Sequence, residues 1–366
     1  MRELAIESLT ARGFRNLEPQ EVELGPGFNV FAGANAQGKT NLLEAAYVVA
    51  TSRSFRTSRI VEVLAHGAEA ASVRAAIREE GAPREQSVGL RQGVRAARID
   101  GKKPVNLAAY AVSTPVVVFH PGSVVLSTGS GMERRRLLDR LALYRSPAVL
   151  ADAEAYSRAL RARQRVLDSR GEATRDLEHW EALVVRHGAA LRDARLAAAQ
   201  ELGPAAERAF SAIGPSGARL SVTYAPGAPE DPGAFLAALA RDRPRDRARG
   251  SASVGPHRDD LTVELDGRRV RGVASQGQHR AVVLALELAE ISLISAARDV
   301  APILLLDDVS SELDRTRTEA LLRAVGGQGG QVLLTTTRRE LIETPVGLPE
   351  GARRDFEVVS GRILRR

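Results

Sequence analysis

Eight consecutive residues, GANAQGKT (33–40), have the types and spacing to hold a phosphate chain. They complete the pattern G-x-x-x-x-G-K-[ST], and a short apolar strand precedes them while a helix follows. In such a loop the backbone N–H groups of Gly33, Ala34, Asn35, Ala36, Gln37 and Gly38 face the phosphates, as does the positive end of the helix that begins near Lys39, Thr40 and Asn41. Lys39 is expected to neutralise β/γ oxygens, and the Thr40 hydroxyl to reach Mg²⁺. A second element, ILLLDD (303–308), sends four apolar residues into a buried strand and delivers two carboxylates at its carboxyl end, where ligands bind in open α/β sheets. Asp307 is expected to hold Mg²⁺ through water, and Asp308 to orient or deprotonate an attacking water. Together the two elements predict ATP and Mg²⁺ as ligands.

A third stretch, SQGQ (275–278), opens an apolar helix far from the first loop. Ser275 offers a hydroxyl, Gly277 lets backbone approach an anion, and Gln276 and Gln278 flank them at a positive helix end. One copy already surrounds its nucleotide with residues 33–40, so this second site predicts closure over the γ-phosphate of a facing copy. Ser275 alone also fits an ordinary N-cap on a core helix. The string HRDDL (257–261) lacks the Asn of a kinase catalytic loop, and no second His stands at metal-ligand spacing from His257. Both chemical readings of it are set aside as coincidence.

These groups need a scaffold. The chain has 366 residues, no cysteine and a net charge of +7, with 52 Lys and Arg of which nearly all are Arg. Disulfide frameworks and thiolate metal sites are excluded, and the arginine excess favours a polyanionic partner or, more simply, solvated helix faces. Mean hydropathy is −0.17, and the longest apolar runs are far too short to span a bilayer, so no membrane partner and a cytoplasmic location are expected. An alternating strand (4–14), the loop–helix at 33–51 and a short apolar, β-like run (116–119) open the chain. Two helices follow, over 150–169 and 176–202, joined as an antiparallel hairpin of a few turns each. RDRPRDRARGSAS (241–253) reads as polar and mobile, and α/β alternation returns with 276–298, 303–306, a helix from SSELD (310–314) onward and QVLLTTT (331–337). The expected fold is α/β: residues 1–130 as the first part of a nucleotide-binding head, 131–215 as an inserted helical arm, and 216–366 as the rest of the head.

The order GxxxxGKT, SQGQ, LLLDD and SELD (311–314) resembles ABC-type ATPases with a shortened arm, in the branch of chromosome-structure and repair proteins. More closely, GFRNL (13–17), SRSFRTS (52–58), RRRLLD (134–139) and GPHRDDL (255–261) make the chain similar to the RecF family. That resemblance implies a P-loop ATPase head and an ATP-dependent homodimer. It also implies binding to double-stranded and gapped DNA beside the nucleoid, help in loading the recombinase together with RecR, and slow hydrolysis that releases the complex. It further assigns Ser275, Gln276, Gly277 and Gln278 as the signature acting in trans, Asp314 to a dimer-contact loop, and Thr336 to the place of the transporter switch His. Asp308 stands where the wider superfamily uses Glu, and FHPGSVVL (119–126) lacks the family's acidic pair. Arg53, Arg56, Arg134, Arg135 and Arg136 are the DNA candidates, with Arg59 and the 241–249 arginines behind them. A protein-coupled ABC-type ATPase is the alternative; a transporter subunit is disfavoured by SQGQ and TTT in place of G-G-Q and a His.

Overall fold

A computed structural model describes residues 2–215, 217–308, 330–342 and 351–366. In chain order the elements are β1 (Leu4–Arg12), β2 (Gln20–Glu23), β3 (Phe28–Ala32), α1 (Lys39–Thr51), β4 (Ala70–Glu79), β5 (Ala82–Arg91), β6 (Val94–Ile99), α2 (Leu107–Ser113) and β7 (Val116–Phe119). Then come α3 (Val125–Thr128), α4 (Gly131–Arg145), α5 (Val149–Arg170), α6 (Asp176–Ile213), β8 (Leu220–Ala225), α7 (Pro232–Arg241) and α8 (Arg243–Arg249). β9 (Asp260–Leu265), β10 (Arg268–Arg269), α9 (Gln276–Arg298), β11 (Ile303–Leu306), β12 (Val332–Thr336), β13 (Arg353–Val359) and β14 (Arg362–Arg365) complete the described residues.

The chain divides into two compact units, 1–124 with 283–366, and 125–282. The first unit holds an antiparallel sheet, β2-β1-β4-β5-β6, and a six-stranded sheet, β14-β13-β3-β12-β11-β7, whose central strands are parallel. Parallel strands buried on both faces should read as unbroken apolar runs, and β11 (ILLL) is fully buried. α1 packs against β4 and β5 of one sheet and β7, β11 and β12 of the other, which is why it is apolar on every side from Leu42 to Ala50 except at Glu44 and Tyr47. Phe31 stacks on Phe356 beneath it, ring centroids 4.8 Å apart. Gln331, fully buried, bridges the sheets: its Nε2 donates to Ile6 O and Gly25 O and its Oε1 accepts from Ile6 N. It thereby satisfies backbone groups at the bulge between Ile6 and Ser8, where β1 slips register on β4.

The register of the parallel strands sets the site. Ala32, Thr336, Leu306 and Phe119 end their strands at one edge, so the segments after β3, β11 and β12 leave the sheet side by side.

The second unit differs from the sequence expectation in extent. β8-β9-β10 form a three-stranded antiparallel sheet packed on α6, so residues 216–282 go with the helices rather than with the head, and the unit starts at 125 rather than 131. The alternating burial of β8 and β9 gives that sheet one face to lay on the helix. α6 is also longer than the spacing predicts. Its 38 residues, about 57 Å at 1.5 Å per residue, run through Gly203-Pro204 to Ile213. A Cβ on Gly203 would lie 2.7 Å from Val222 O, so the helix continues past the glycine because β8 is packed against it there. The length of α6 is taken up by α5, α4, α7 and β8 in turn, not by a projecting coiled coil.

The stretch 241–253, expected to be mobile, starts on the last residue of α7 and is built around α8, with Pro244 in the first turn of α8. It is pinned by a buried ionic network. Arg163, fully buried, donates to Glu181 at 2.9 Å and Asp246 at 2.8 Å, Arg243 adds a fork on Glu181, and Asp246 also accepts from Ser253. Nothing in residues 241–253 alone shows that Asp246 has a partner 83 positions away.

Candidate nucleotide-binding site

The loop after β3 has the backbone its sequence requires. Gly33 N donates to Thr336 O at 3.3 Å, tying the loop to β12, and a Cβ on Gly33 would meet Val358 O at 2.4 Å. Ala36 (φ 66°) and Gly38 (φ 110°) take left-handed conformations that turn the peptide groups inward. Gly38 begins α1 with no side-chain cap and no acid in the first turn, so the positive helix end stays open to an anion. Ala34, Asn35 and Ala36 are exposed along the rim. Lys39 is nearly buried, and its Nζ donates to Gly33 O at 2.7 Å and Ala34 O at 2.8 Å, leaving one ammonium hydrogen for an anion. Burial holds its pKa below the ordinary lysine value, partly offset by the Asp308 and Asp307 carboxylates, so an incoming phosphate would restore what desolvation removes.

Thr40 and Asp307 meet although 267 residues separate them: Thr40 Oγ1 donates to Oδ1 at 2.8 Å and to Oδ2 at 3.0 Å. A hydroxyl and a carboxylate at this spacing form a hard-oxygen set that fits Mg²⁺, and the cradle around Lys39 fits a polyphosphate. Burial raises the Asp307 pKa, the Thr335 and Thr40 hydroxyls pull it back down, and Asp308 raises it again. Thr335 escaped the sequence reading. From β12, beside β11, it donates to Asp307 Oδ1 at 2.8 Å and accepts from Asp308 N at 2.9 Å, and so orients both carboxylate-bearing residues. Asp308 itself sits at φ 50°. Thr336 is fully buried and its hydroxyl serves the Arg338 backbone.

The loop is walled by two segments that the motif does not mention. Asn16 Oδ1 accepts from Asn41 Nδ2 at 2.6 Å, and Asn16 Nδ2 donates to Ala36 O at 3.4 Å. On the other side Gln37 Oε1 accepts from Ser360 N at 2.6 Å, while Gly361 N donates to Gln37 O at 2.8 Å. A Cβ on Gly361 would fall 2.0 Å from Asn16 O, so the β13–β14 turn closes against the GFRNL stretch only through a glycine. Glu44, fully buried in α1, takes a two-bond fork from Arg15 at 2.9 Å and further bonds from Ser54 and Arg56.

The arginine candidates separate by their partners. Arg134 is 4 % exposed and forks onto Asp260 at 2.6 and 2.9 Å, so it is corrected from DNA candidate to internal ion pair. Arg135 donates to Asp259 O at 2.7 Å and is partly buried. Arg56 is drawn to Glu44 and to Asn41 Oδ1 at 2.7 Å. Arg136 pairs with Glu133 one turn back and is exposed with Arg53 and Arg59, of which Arg59 pairs with Glu62. The acids of HRDDL are engaged within the chain: Asp259 accepts from Arg195 at 2.9 Å and from Gly227 N at 2.8 Å, and Asp260 accepts from Arg134.

SQGQ lies in the second unit and forms a reciprocal cap: Gln278 N donates to Ser275 Oγ at 3.3 Å and Ser275 N donates to Gln278 Oε1 at 2.8 Å. The N-cap reading of Ser275 therefore holds in this structure. Ser275 and Gln276 are exposed, Gly277 faces open space, and the first turn of α9 contains no acid. Asp314 lies outside the described residues.

A P-loop after β3, with a carboxylate pair after β11, the parallel strand one beyond β12 in the same sheet, defines an ATPase head of the ABC type. Residues 5–348 match the model of the RecF/RecN/SMC N terminal domain. The chain is 43% identical to the DNA replication and repair protein RecF of Anaeromyxobacter sp. (strain Fw109-5), over 93% of this chain and 94% of that one. A solved structure of the recombination mediator protein RecF with ATP, in the RecFOR pathway, superposes with a TM-score of 0.90 at 26% identity, covering 100% of this chain and 98% of that one. The Smc head domain with an extended coiled coil, bound to the C-terminal domain of ScpA from Pyrococcus furiosus, shares the fold at a TM-score of 0.55 and 16% identity, over 99% and 96% of the chains. The chain therefore belongs to the RecF/RecN/SMC N-terminal-domain family, and within it to the RecF proteins.

Proposed function

We propose that this protein is an ATP-gated DNA-repair ATPase that binds double-stranded DNA near single-strand gaps as an ATP-bound homodimer. In this reading it acts with RecR to help load the recombinase, and slow, DNA-stimulated hydrolysis ends the bound state. The observation that carries the reading is the Thr40–Asp307 pair beside the Lys39 cradle, in a chain whose relative is solved with ATP.

The loop 33–38 and the α1 N-terminus bind the phosphates through backbone N–H groups, and Lys39 neutralises the β/γ oxygens. Thr40 and Asp307 would hold Mg²⁺, which when bound supplies positive charge against the transferring phosphoryl group. Asp308 orients the attacking water or takes its proton. Ser275 to Gln278 of a facing copy complete the γ-phosphate site, so that ATP joins two heads; Asp314 belongs to the dimer-contact loop, and Thr336 takes the place of the transporter switch His. Arg53, Arg56 and Arg136, which are exposed, are the remaining DNA-contact candidates among the five.

Fluorescence anisotropy of labelled duplex DNA, titrated with and without ATP–Mg²⁺, tests the core of this reading. ATP tightens binding of the unaltered protein, and Lys39→Met loses that gain. Binding that is absent, or indifferent to ATP in both proteins, would mean that ATP does not gate DNA contact.

A further inference from the structure

Buried hydrogen bonds link the first turn of the signature helix, through residues 126–129, to Arg134 of RRRLLD and Asp260 of GPHRDDL. His279 follows SQGQ directly, is 8 % exposed, and its Nδ1 is hydrogen-bonded to Ser127 Oγ at 3.0 Å. Ser127, 2 % exposed, sits in the short segment 126–129. That segment is held from below by Arg134, whose Nη1 donates to Leu126 O at 2.9 Å and to Gly129 O at 3.2 Å. The same guanidinium places its Nε and Nη2 on the two oxygens of Asp260. One buried arginine thus binds two carbonyls of the segment and a carboxylate of the GPHRDDL stretch at once, a geometry that its rigid fork suits and a lysine could not reproduce.

The bracket leaves little slack. A Cβ on Gly131 would lie 2.7 Å from Arg135 Nη1 and 2.8 Å from Asp260 Cγ, and one on Gly129 would lie 2.7 Å from Val125 O. Asp259, next to Asp260, is itself clamped by Arg195 Nη1, and Arg195 forks in turn onto Asp139 of the RRRLLD stretch. SQGQ is shaped locally by its own capping box, and the His279–Ser127 bond ties its first helical turn to the rest of the 125–282 unit.

We propose that Ser127, Arg134 and Asp260 are positioning residues for the signature, acting through His279 to fix the first turn of α9 and hence the direction in which Ser275 and Gly277 are presented. The relay deepens the proposed function, because its consequence for activity rests on SQGQ acting in trans. Arg134 and GPHRDDL then carry no DNA or metal chemistry. They hold the part of the site that one copy offers to another.

The test uses the full chain with His279→Ala, Ser127→Ala and the conservative His279→Asn, which returns a polar atom near the place of Nδ1, alongside Ser275→Arg. Amide hydrogen exchange over residues 275–282 reads the relay directly. Loss of one buried hydrogen bond raises local opening by about fivefold, so exchange there should quicken by about that factor in both alanine variants and recover in His279→Asn. The Ser127→Ala/His279→Ala double variant should be no faster than either single one. ATP-dependent self-association and turnover should fall in the alanine variants, while binding of a fluorescent ATP analogue to the monomer stays within about twofold. Unchanged exchange over 275–282 in His279→Ala overturns the relay. If exchange quickens while Ser275→Arg leaves self-association intact, the relay stands and the trans reading of SQGQ fails.

Discussion

Asp307 Oδ1 accepts hydrogen bonds from two hydroxyls, Thr40 on α1 and Thr335 on β12. The two have different work. Thr40, in the first turn of α1, would turn to Mg²⁺ in the proposed function, whereas Thr335 also accepts from Asp308 N and would keep its place. Thr335→Val keeps the shape and removes both bonds, so it should destabilise the head by about 1–3 kcal/mol in chemical denaturation. It should also lower Mg²⁺-dependent hydrolysis far more than Mg²⁺-free nucleotide binding. Equal losses in the two assays would show that Thr335 serves only the sheet. Titration belongs to this scale too. Burial lowers the pKa of His257 below its ordinary 6.5, with the Ala252 carbonyl opposing, and burial does the same to His279. A depressed histidine pKa means that the unfolded chain takes up the proton first. The contribution of the neutral ring is therefore complete above about pH 6.5 and is lost as pH falls below it through the folded value. The thermal midpoint should drop between pH 7 and pH 5, and His257→Asn, which leaves Tyr156 a partner, should show a shallower drop.

At the scale of elements, the helical unit is held by charge where its sequence suggested a solvated face. Arg163 of α5, Glu181 of α6 and Asp246 of α8 are each at most 1 % exposed, and they bring three helices to one point. Removing one member leaves buried charges without compensation. Arg163→Met should therefore cost about 3–5 kcal/mol, measured by urea unfolding. Replacing Arg163, Glu181 and Asp246 together by apolar residues of like volume should cost much less. A small loss in the single variant would mean that the pair relaxes toward water. The α1 helix makes the opposite case: it is apolar all round because two sheets cover it, and its single buried acid is answered from outside by Arg15 and Arg56.

At the scale of the molecule, the two units divide the proposed work. The loop 33–40 and the carboxylates 307–308 belong to the first unit and SQGQ to the second, with α9 starting in one and ending in the other. The boundary at 282/283 cuts through a helix, where no composition change marks it; the expected boundary at 215/216 followed the end of the Ala-rich stretch instead. β8 and β9 look like head strands in sequence because alternation reports a half-buried strand without saying what covers it. Packing on α6 supplies that answer.

By itself the sequence determined what neighbouring residues settle among themselves: the strand–loop–helix of 28–51, the buried run of β11 with acids at its end, the capped start of α9, and the order of motifs that marks the family. These follow from backbone geometry and hydrogen bonds over a few residues, so consecutive letters suffice. Tertiary structure alone decided which arginines are internal, that Thr335 joins Asp307, that Asn16 and Gly361 wall the loop, and that α6 continues through Gly203-Pro204. Each of those depends on a partner brought close by packing from far along the chain. A guanidinium or a hydroxyl reads the same in sequence whether it meets water or a buried carboxylate.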